Sequence, residues 1–353
     1  MFTKKRAVVA AILGIVAVGL MIPAAGGAQG KDTYTIYYST SFNGNGYRVQ
    51  SVNTLKALLK NHAPVKGRAN LTVVVSAQNT PASQIASIRG IILKRPDAII
   101  IQPSVSSALT PVIDQACKAG IVVGVWDSPV SNACAYGWFM PIRQIGVLHG
   151  LWLAKVMKGE GKLFQDQGLA GVPLAKTIID GQNSVLKKYP KIKRITFYGS
   201  FATGPTVEAV TALLTAHPDV KAVDSMAFVD GAFTAFKRAK KKMVPASGMP
   251  YNGTVKACTT TPGANCGLTF WPAYQAAYVL RTVINVLDGK KEPHTQIIPT
   301  GCFTTDGSAI GKLKCGKLST KLTKGTTKSP EGAAPVSPPW AVPPVTAQEI
   351  DNA

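Results

Sequence analysis

Short apolar segments alternate with amphipathic segments along this chain. Residues 98–101 and 121–126 are continuous apolar runs with the length of a buried strand, and the segment between them has helical spacing. Each run turns polar at its end, at Gln102 and at Asp127. Strands that alternate with helices predict a parallel sheet covered by helices, and such sheets bind ligands at the carboxyl ends of their strands. The pattern therefore predicts a site for a small polar molecule near Gln102 and Asp127.

The alternation of strands and helices occurs twice. It restarts after the segment 134–141. The strands predicted for the two halves are 33–39, 71–76, 98–101 and 121–126, then 162–165, 192–198, 220–226 and 244–247. The last of these is expected to end the second sheet, and a final helix is predicted over 273–287. Two similar halves in tandem predict an α/β protein with two lobes.

Polar and aromatic side chains follow the predicted strands in both halves. A carboxylate accepts hydrogen bonds, a guanidinium donates them, an amide does both, and an aromatic ring covers an apolar face. These properties together suit a ligand rich in hydroxyl groups. The candidate ligand-binding residues are Asn45, Tyr47, Arg48, Asn79, Gln102, Asp127, Lys176, Asp230, Asn252, Phe270 and Trp271.

Several candidates have an alternative structural role. Asp127 is also suited to cap the turn that follows it, and Asn79 to cap the helix that begins at Pro81. Tyr47 is also suited to helix packing, and Asn252 with the glycine after it is a common turn dipeptide.

Motifs of common enzyme classes do not occur in the sequence. It contains no G-x-S-x-G, no H-E-x-x-H and no Walker A loop. Its four histidines are scattered and have no nearby carboxylate or nucleophile in sequence, which favours structural roles. We therefore expect no enzymatic activity, no cofactor and no metal site. The alternative is a hydrolase that uses Asp127 and Asp230 as paired carboxylates.

The N-terminus has the parts of a secretory signal. Residues 4–6 are basic, 7–22 are apolar and 23–28 are mostly small. The apolar run is short for a bilayer span, which needs about 20 residues. We expect cleavage after Ala28, with an uncleaved anchor as the alternative. The protein is then exported to the periplasm or the outer face of the cytoplasmic membrane.

Six cysteines fit an exported protein with disulfides, since the count is even. Proximity in sequence favours the pairs Cys117–Cys134, Cys258–Cys266 and Cys302–Cys315. The competing zinc site lacks a C-x-x-C spacing.

The chain carries a formal net charge of +22 over 353 residues. An anionic ligand or surface is one explanation, and a well-solvated basic surface is the other. Nucleic-acid binding is not expected, because the sequence has no basic module interleaved with aromatic residues. Residues 323–353 are rich in Pro, Ser, Thr and Lys and are predicted to be disordered.

Three segments resemble one known family. They are 97–103 (DAIIIQP), 116–121 (ACKAGI) leading to Asp127, and 214–223 (LTAHPDVKAV). Between about residues 33 and 299 the chain resembles a type I periplasmic binding protein of the ribose/galactose class, the substrate-capture component of an ABC importer. The resemblance implies two Rossmann-like lobes with parallel sheets, joined by a three-segment hinge and closing over a sugar. It also implies a membrane permease as partner and a monomer.

The lobes implied by this resemblance are made from separate stretches of chain. The first is expected to contain 31–138 and 272–293, and the second 139–270 and 294–322.

The resemblance also assigns roles to the candidates. It matches Asp127, Asn79, Asn45 and Tyr47, with Arg48 beside them, to sugar-binding positions of the first lobe. Second-lobe positions differ from the family pattern: their counterparts here are Lys176, Asp230, Asn252, Phe270 and Trp271. The ligand class therefore stays open between a plain sugar and a cyclitol, a modified sugar, or an anionic or aromatic compound.

Two other functions share this fold. Sugar-sensing repressors need an N-terminal DNA-binding helix-turn-helix, and this chain has a secretion signal in that place. A receptor partner that senses the ligand without transport remains an alternative.

Overall fold

The computed structural model describes residues 31–44, 46–319, 348–349 and 352–353. The predicted signal segment 1–28, Asn45 and most of the predicted tail 323–353 lie outside the described residues. The described strands are β1 (Tyr34–Thr40), β2 (Ala69–Val75), β3 (Ala98–Gln102), β4 (Val122–Trp126), β5 (Tyr136–Phe139), β6 (Gly161–Asp166), β7 (Ile192–Phe197), β8 (Ala222–Asp224), β9 (Ala246–Gly248), β10 (Cys266–Thr269), β11 (Thr295–Ile297), β12 (Cys302–Thr304) and β13 (Gly316–Lys317). The described helices are α1 (Gly46–Asn61), α2 (Pro81–Ile92), α3 (Ser106–Lys118), α4 (Ile142–Val156), α5 (Pro173–Leu186), α6 (Thr203–Ala216), α7 (Val229–Arg238), α8 (Asn252–Thr260) and α9 (Gln275–Leu287).

The described strands form two sheets. The first has the order β11-β5-β4-β3-β1-β2, and its neighbouring strands are parallel. The second has the order β13-β12-β10-β9-β8-β6-β7 and is parallel except where β10 meets β12. Two parallel sheets with alternating helices confirm the predicted α/β fold.

The central strand β3 is buried on both faces, because helices cover the first sheet from both sides. Ile99, Ile100 and Ile101 have no exposed surface. Ile100 packs in one apolar cluster with residues of α1 and α9, while Ile99 and Ile101 pack in another with residues of α2 and α3. Successive side chains of a strand point to opposite faces, which explains why this strand is apolar without interruption.

The described chain passes between the two sheets at three places. These are the connections from β5 to α4, from β10 to α9 and from β11 to β12. The predicted assignment of 294–322 to the second lobe is corrected at its start, because β11 pairs with β5 in the first sheet. We therefore propose that the lobe boundaries lie at these three connections.

Five further elements differ from the sequence prediction: β5, β10, β12, β13 and α8. The segment 134–141 contains β5, and 244–247 does not end the second sheet, since β10, β12 and β13 follow it. Helix α8 was not predicted. Each of these elements is short, and β10 includes a cysteine and a glycine in four residues, so the periodicity is too brief to detect.

The disulfides confirm the predicted pairing. Cys117 at the end of α3 is bonded to Cys134, Cys258 of α8 to Cys266 of β10, and Cys302 of β12 to Cys315. Each bond closes a short loop, worth about 2–3 kcal/mol in the chain-entropy description.

Helices α4 and α5 pack at unusually short range through glycines. A Cβ atom on Gly146 would lie 1.8 Å from the carbonyl oxygen of Ile178, and one on Gly181 would lie 2.1 Å from the carbonyl oxygen of Arg143. Both distances are far below van der Waals contact, and the atoms they would meet are backbone. The two helices can approach this closely only because these positions have no side chain.

The substitution Gly146→Ala is expected to lower the free energy of unfolding by about 1–3 kcal/mol, because the helices must separate to admit the methyl group. Urea denaturation followed by circular dichroism measures this loss. The matched control is Gly90→Ala in α2, where nothing lies within 4 Å of the added atom. Helix propensity predicts that this control is stabilising by up to about 1 kcal/mol. Equal stability of the two variants would contradict the close packing.

Candidate ligand-binding site

A cavity of about 250 Å³ lies between the two lobes, at the carboxyl ends of strands from both sheets. Six of the predicted site residues line it: Tyr47, Arg48, Asn79, Gln102, Asp127 and Trp271. Tyr47, Arg48, Asn79 and Asp127 follow strands β1, β2 and β4, and Gln102 is the last residue of β3. Trp271 lies on the connection from β10 to α9. The prediction that strand-end residues converge is therefore supported for the first lobe.

Asp127 follows β4 directly and has a φ of 72°, a left-handed conformation that aspartate tolerates better than most residues. Its Oδ1 accepts a hydrogen bond from the Tyr47 hydroxyl at 3.3 Å, and its Oδ2 accepts one from Gln102 Nε2 at 3.2 Å. Burial raises the pKa of Asp127 above its ordinary value, and the nearby positive charge of Arg48 partly opposes this. The carboxylate is thus held in place by neighbouring side chains.

Arg48 and Asn79 are also held by first-lobe partners. Arg48 donates from Nη1 to Thr40 Oγ1 at 2.6 Å, and the Ser41 hydroxyl donates to Asn79 Oδ1 at 2.8 Å. The alternative role of Asn79 as a helix cap is wrong, because the Thr80 side chain accepts the capping hydrogen bond at the start of α2. Both residues therefore present polar atoms to the cavity from fixed positions.

Aromatic rings form one side of the cavity. The rings of Phe228 and Tyr251 stack with centroids 4.8 Å apart, and Tyr47 meets Tyr251 edge-on at 6.1 Å. Tyr47 is 7% exposed and also packs on Trp126. It therefore both packs in the core and lines the cavity.

Four predicted residues lie elsewhere. Lys176 pairs with Asp180 one turn further along α5, at 2.6 Å on the exposed surface. Asp230 accepts hydrogen bonds from Thr203 at 3.1 Å and from Thr254 at 3.2 Å, within the second lobe. Asn252 is the buried first residue of α8 rather than part of a turn, and Phe270 is buried against Tyr274. None of the four lines the cavity.

The second lobe lines the cavity with residues that the sequence analysis did not single out. They follow β6, β7, β8 and β9: Leu169, Val172, Leu174, Ser200, Phe201, Phe228, Met249 and Tyr251. Because these residues follow strands, their positions in the sequence are consistent with a place at the cavity. Most are apolar, however, and a search for polar strand ends passes over them.

A more open groove of about 740 Å³ adjoins the cavity. The two share Ser104, Ser128, Val172 and Leu174. Among the described residues that line the groove there is no carboxylate, so we place the candidate site in the smaller cavity, where Asp127 lies.

A buried polar cluster joins the second sheet to α4. His149 Nδ1 lies 3.0 Å from Asp224 Oδ1, and His149 Nε2 lies 2.8 Å from the Thr269 hydroxyl. Ser247 also donates to Asp224, at 2.6 Å. The side chains of His149 and Asp224 have no exposed surface, so this arrangement of histidine, carboxylate and hydroxyl is structural.

Asp166, at the end of β6, is a second buried carboxylate of this lobe. Its Oδ1 accepts hydrogen bonds from the backbone N–H groups of Gly168 at 2.8 Å and Gly199 at 2.7 Å. Burial raises the pKa of Asp166 to about 7, although these two hydrogen bonds lower it, and the charge of Asp224 raises it further. Among the described residues, no group of three or more His, Cys, Asp or Glu is placed to hold a metal ion.

Comparisons with known proteins agree with this architecture. The chain is 29% identical to the ribose import binding protein RbsB of Escherichia coli over 244 residues, which cover 67% of this chain and 78% of that protein. It is 26% identical to the galactofuranose-binding protein YtfQ of Escherichia coli over 221 residues, 59% of this chain and 67% of that protein.

A solved structure shows the same fold. The periplasmic binding protein component of the arabinose ABC transporter from Shewanella sp. ANA-3, bound to α- and β-L-arabinofuranose, superposes with a TM-score of 0.68. The alignment has 23% identity and covers 77% of this chain and 92% of that chain. Residues 36–291 match the family profile described as "Periplasmic binding protein domain". Since that match spans more than half of the sequence, the chain belongs to the periplasmic binding protein domain family.

Proposed function

We propose that this protein is the substrate-binding component of an ABC importer and captures a sugar or a closely related solute. The observation that carries the proposal is the cavity between the two lobes, with Asp127, Arg48 and Asn79 on its wall. Relatives named for binding ribose, D-allose and galactofuranose support a carbohydrate as the ligand. A membrane permease is the expected partner, and the protein acts as a monomer.

Capture follows from the construction of the cavity. Because residues of both lobes line it, a bound ligand contacts both lobes at once and favours the closed arrangement. The three connections between the sheets are the hinge segments for such a closure. Release to a permease then requires the lobes to separate again.

The proposed location is outside the cytoplasm, in the periplasm or at the outer face of the cytoplasmic membrane. The signal-like N-terminus supports export. Disulfides between all six cysteines support an oxidising compartment. No helix in the described part of the chain has the length and apolarity needed to cross a membrane.

Binding without chemical change is the proposed outcome for the ligand. A hydrolase of the kind considered above needs two carboxylates at the substrate. Asp127 lines the cavity, whereas Asp230 does not and is engaged by two threonine hydroxyls. The two carboxylates therefore do not face a common substrate position in the cavity, which argues against this hydrolase.

The substitution Asp127→Ala is expected to weaken binding of the identified sugar by about 1.5–3 kcal/mol, the range for a hydrogen bond to a charged group. Calorimetric titration of the purified protein with D-ribose, L-arabinose and D-galactose measures the affinity, and nuclear magnetic resonance of the sugar shows whether a product forms. The control is Asp219→Ala, which removes an exposed carboxylate paired with Lys162. Unchanged affinity in the Asp127 variant would exclude this residue as a contact, and a product would favour an enzyme.

A further inference from the structure

The polar and apolar parts of the cavity wall belong to different lobes. Among the described lining residues, every charged or amide side chain comes from the first lobe: Arg48, Asn79, Gln102 and Asp127. A ligand edge that carries hydroxyl groups can therefore be bound by a carboxylate, a guanidinium and two amides on that side.

The second lobe offers a mostly apolar surface to the same cavity. Leu174, Phe228 and Met249 represent it, and its polar side-chain atoms among the described lining residues are the hydroxyls of Ser200 and Tyr251. The two charged residues predicted for this lobe have other partners, Lys176 with Asp180 and Asp230 with two threonines, and neither lines the cavity. The part of the cavity wall that belongs to the second lobe is therefore apolar over several residues.

This asymmetry restricts the ligand. Closure of the lobes removes water from both sides of the bound molecule. A sugar with hydroxyl groups on every edge would then bury several of them against leucine, methionine and phenylalanine, and a buried hydroxyl without a partner disfavours binding. A ligand with an apolar edge on the second-lobe side avoids this cost and gains from burial of apolar surface.

Resting on the proposed function, we propose that the ligand is an amphipathic sugar: one edge carries hydroxyl groups for the first lobe, and the other is deoxygenated or carries an alkyl or aryl substituent. The adjoining groove fits such a substituent, because Val172 and Leu174 line both the cavity and the groove. A substituent longer than a methyl group can extend past these two side chains into the groove.

The test compares parent sugars with derivatives that differ in one apolar group. The pairs are D-galactose with 6-deoxy-D-galactose, D-ribose with 5-deoxy-D-ribose, and methyl with phenyl β-D-galactopyranoside, each titrated calorimetrically into the full-length protein. The better derivative is expected to bind at least about tenfold more tightly than its parent, which corresponds to about 1.4 kcal/mol. Its heat-capacity change on binding is expected to be more negative, the signature of apolar burial.

A variant identifies the lobe responsible. Leu174 is half-buried near the start of α5 and lines the cavity, so Leu174→Gln places an amide there. We expect this variant to reduce or reverse the preference for the apolar derivative. The matched control Leu93→Gln changes a leucine that is 84% exposed and does not line the cavity, and its preference should equal that of the unchanged protein.

The possible results separate the inference from the function on which it rests. Tighter binding of the apolar derivatives, with the preference reduced by Leu174→Gln, supports the amphipathic ligand. Equal or tighter binding of the parent sugars overturns it and leaves sugar binding intact. Absence of binding by every sugar and derivative overturns the proposed function itself. An unchanged preference in Leu174→Gln overturns the assignment to the second-lobe surface.

Discussion

Replacing His149 by alanine is expected to lower the free energy of unfolding by about 3–5 kcal/mol, the cost of removing one partner from a buried polar pair. His149 contacts Asp224 on β8 and Thr269 on β10, so its loss leaves two buried polar groups of the second sheet without that partner. Urea denaturation followed by circular dichroism measures the change.

Two further variants separate this mechanism from a simple loss of packing. In the double variant His149→Ala with Asp224→Ala, the carboxylate is removed together with its partner, so we expect a smaller loss than the sum of the single effects. His294→Ala, at an exposed histidine stacked on Tyr136, should be nearly neutral. A strictly additive double variant would show that the orphaned carboxylate is not the cause.

The stability of the protein is expected to fall as the pH rises from about 4 to about 7, through the ionisation of Asp166. The pKa of this carboxyl is raised from 3.8 to about 7 by burial. Within that window the folded chain keeps a proton that the unfolded chain has released, so the stabilisation is complete below pH 4 and lost as the pH passes 7. Three pKa units correspond to a loss on the order of 4 kcal/mol.

The variant Asp166→Asn removes this ionisation and keeps an oxygen for the N–H groups of Gly168 and Gly199. Relative to the unchanged protein, it should therefore be more stable at pH 8 than at pH 4. The control Asp219→Asn changes an exposed carboxyl whose pKa is lowered by a hydrogen bond from Lys162. It should not share this gain, and the same pH dependence in both variants would contradict the assignment to Asp166.

The first lobe was largely predictable from sequence. Strands β1 to β4 lie within two residues of their predicted bounds. β3 and β4 are apolar runs that end at a polar residue, and β1 and β2 are rich in aromatic or β-branched residues. Strand β5 was missed, since its four residues include a glycine and are too few to show a period. The cavity residues of this lobe were found because polar side chains at strand ends are conspicuous in sequence.

The second lobe was predictable in fold but not in its contribution to the cavity. Lys176 and Asp230 are charged residues predicted for the site, and both have partners within their own lobe instead. Phe228 and Met249 line the cavity instead, yet both are residue types that are also typical of a protein core. Only the direction in which each side chain leaves its loop distinguishes a residue of the wall from one of the core.

The connection from β10 to α9 returns the chain to the first lobe late in the sequence. The first sheet receives α9 on β4 and β5, and β11 beside β5, only after strands β6 to β10 of the second sheet have been synthesised. A fragment ending before residue 275 therefore lacks part of the first lobe and would expose the apolar surface of β4 and β5 that α9 covers. Contacts between segments so distant in sequence form slowly, so we expect the first lobe to complete its fold only after the chain has been made through β11.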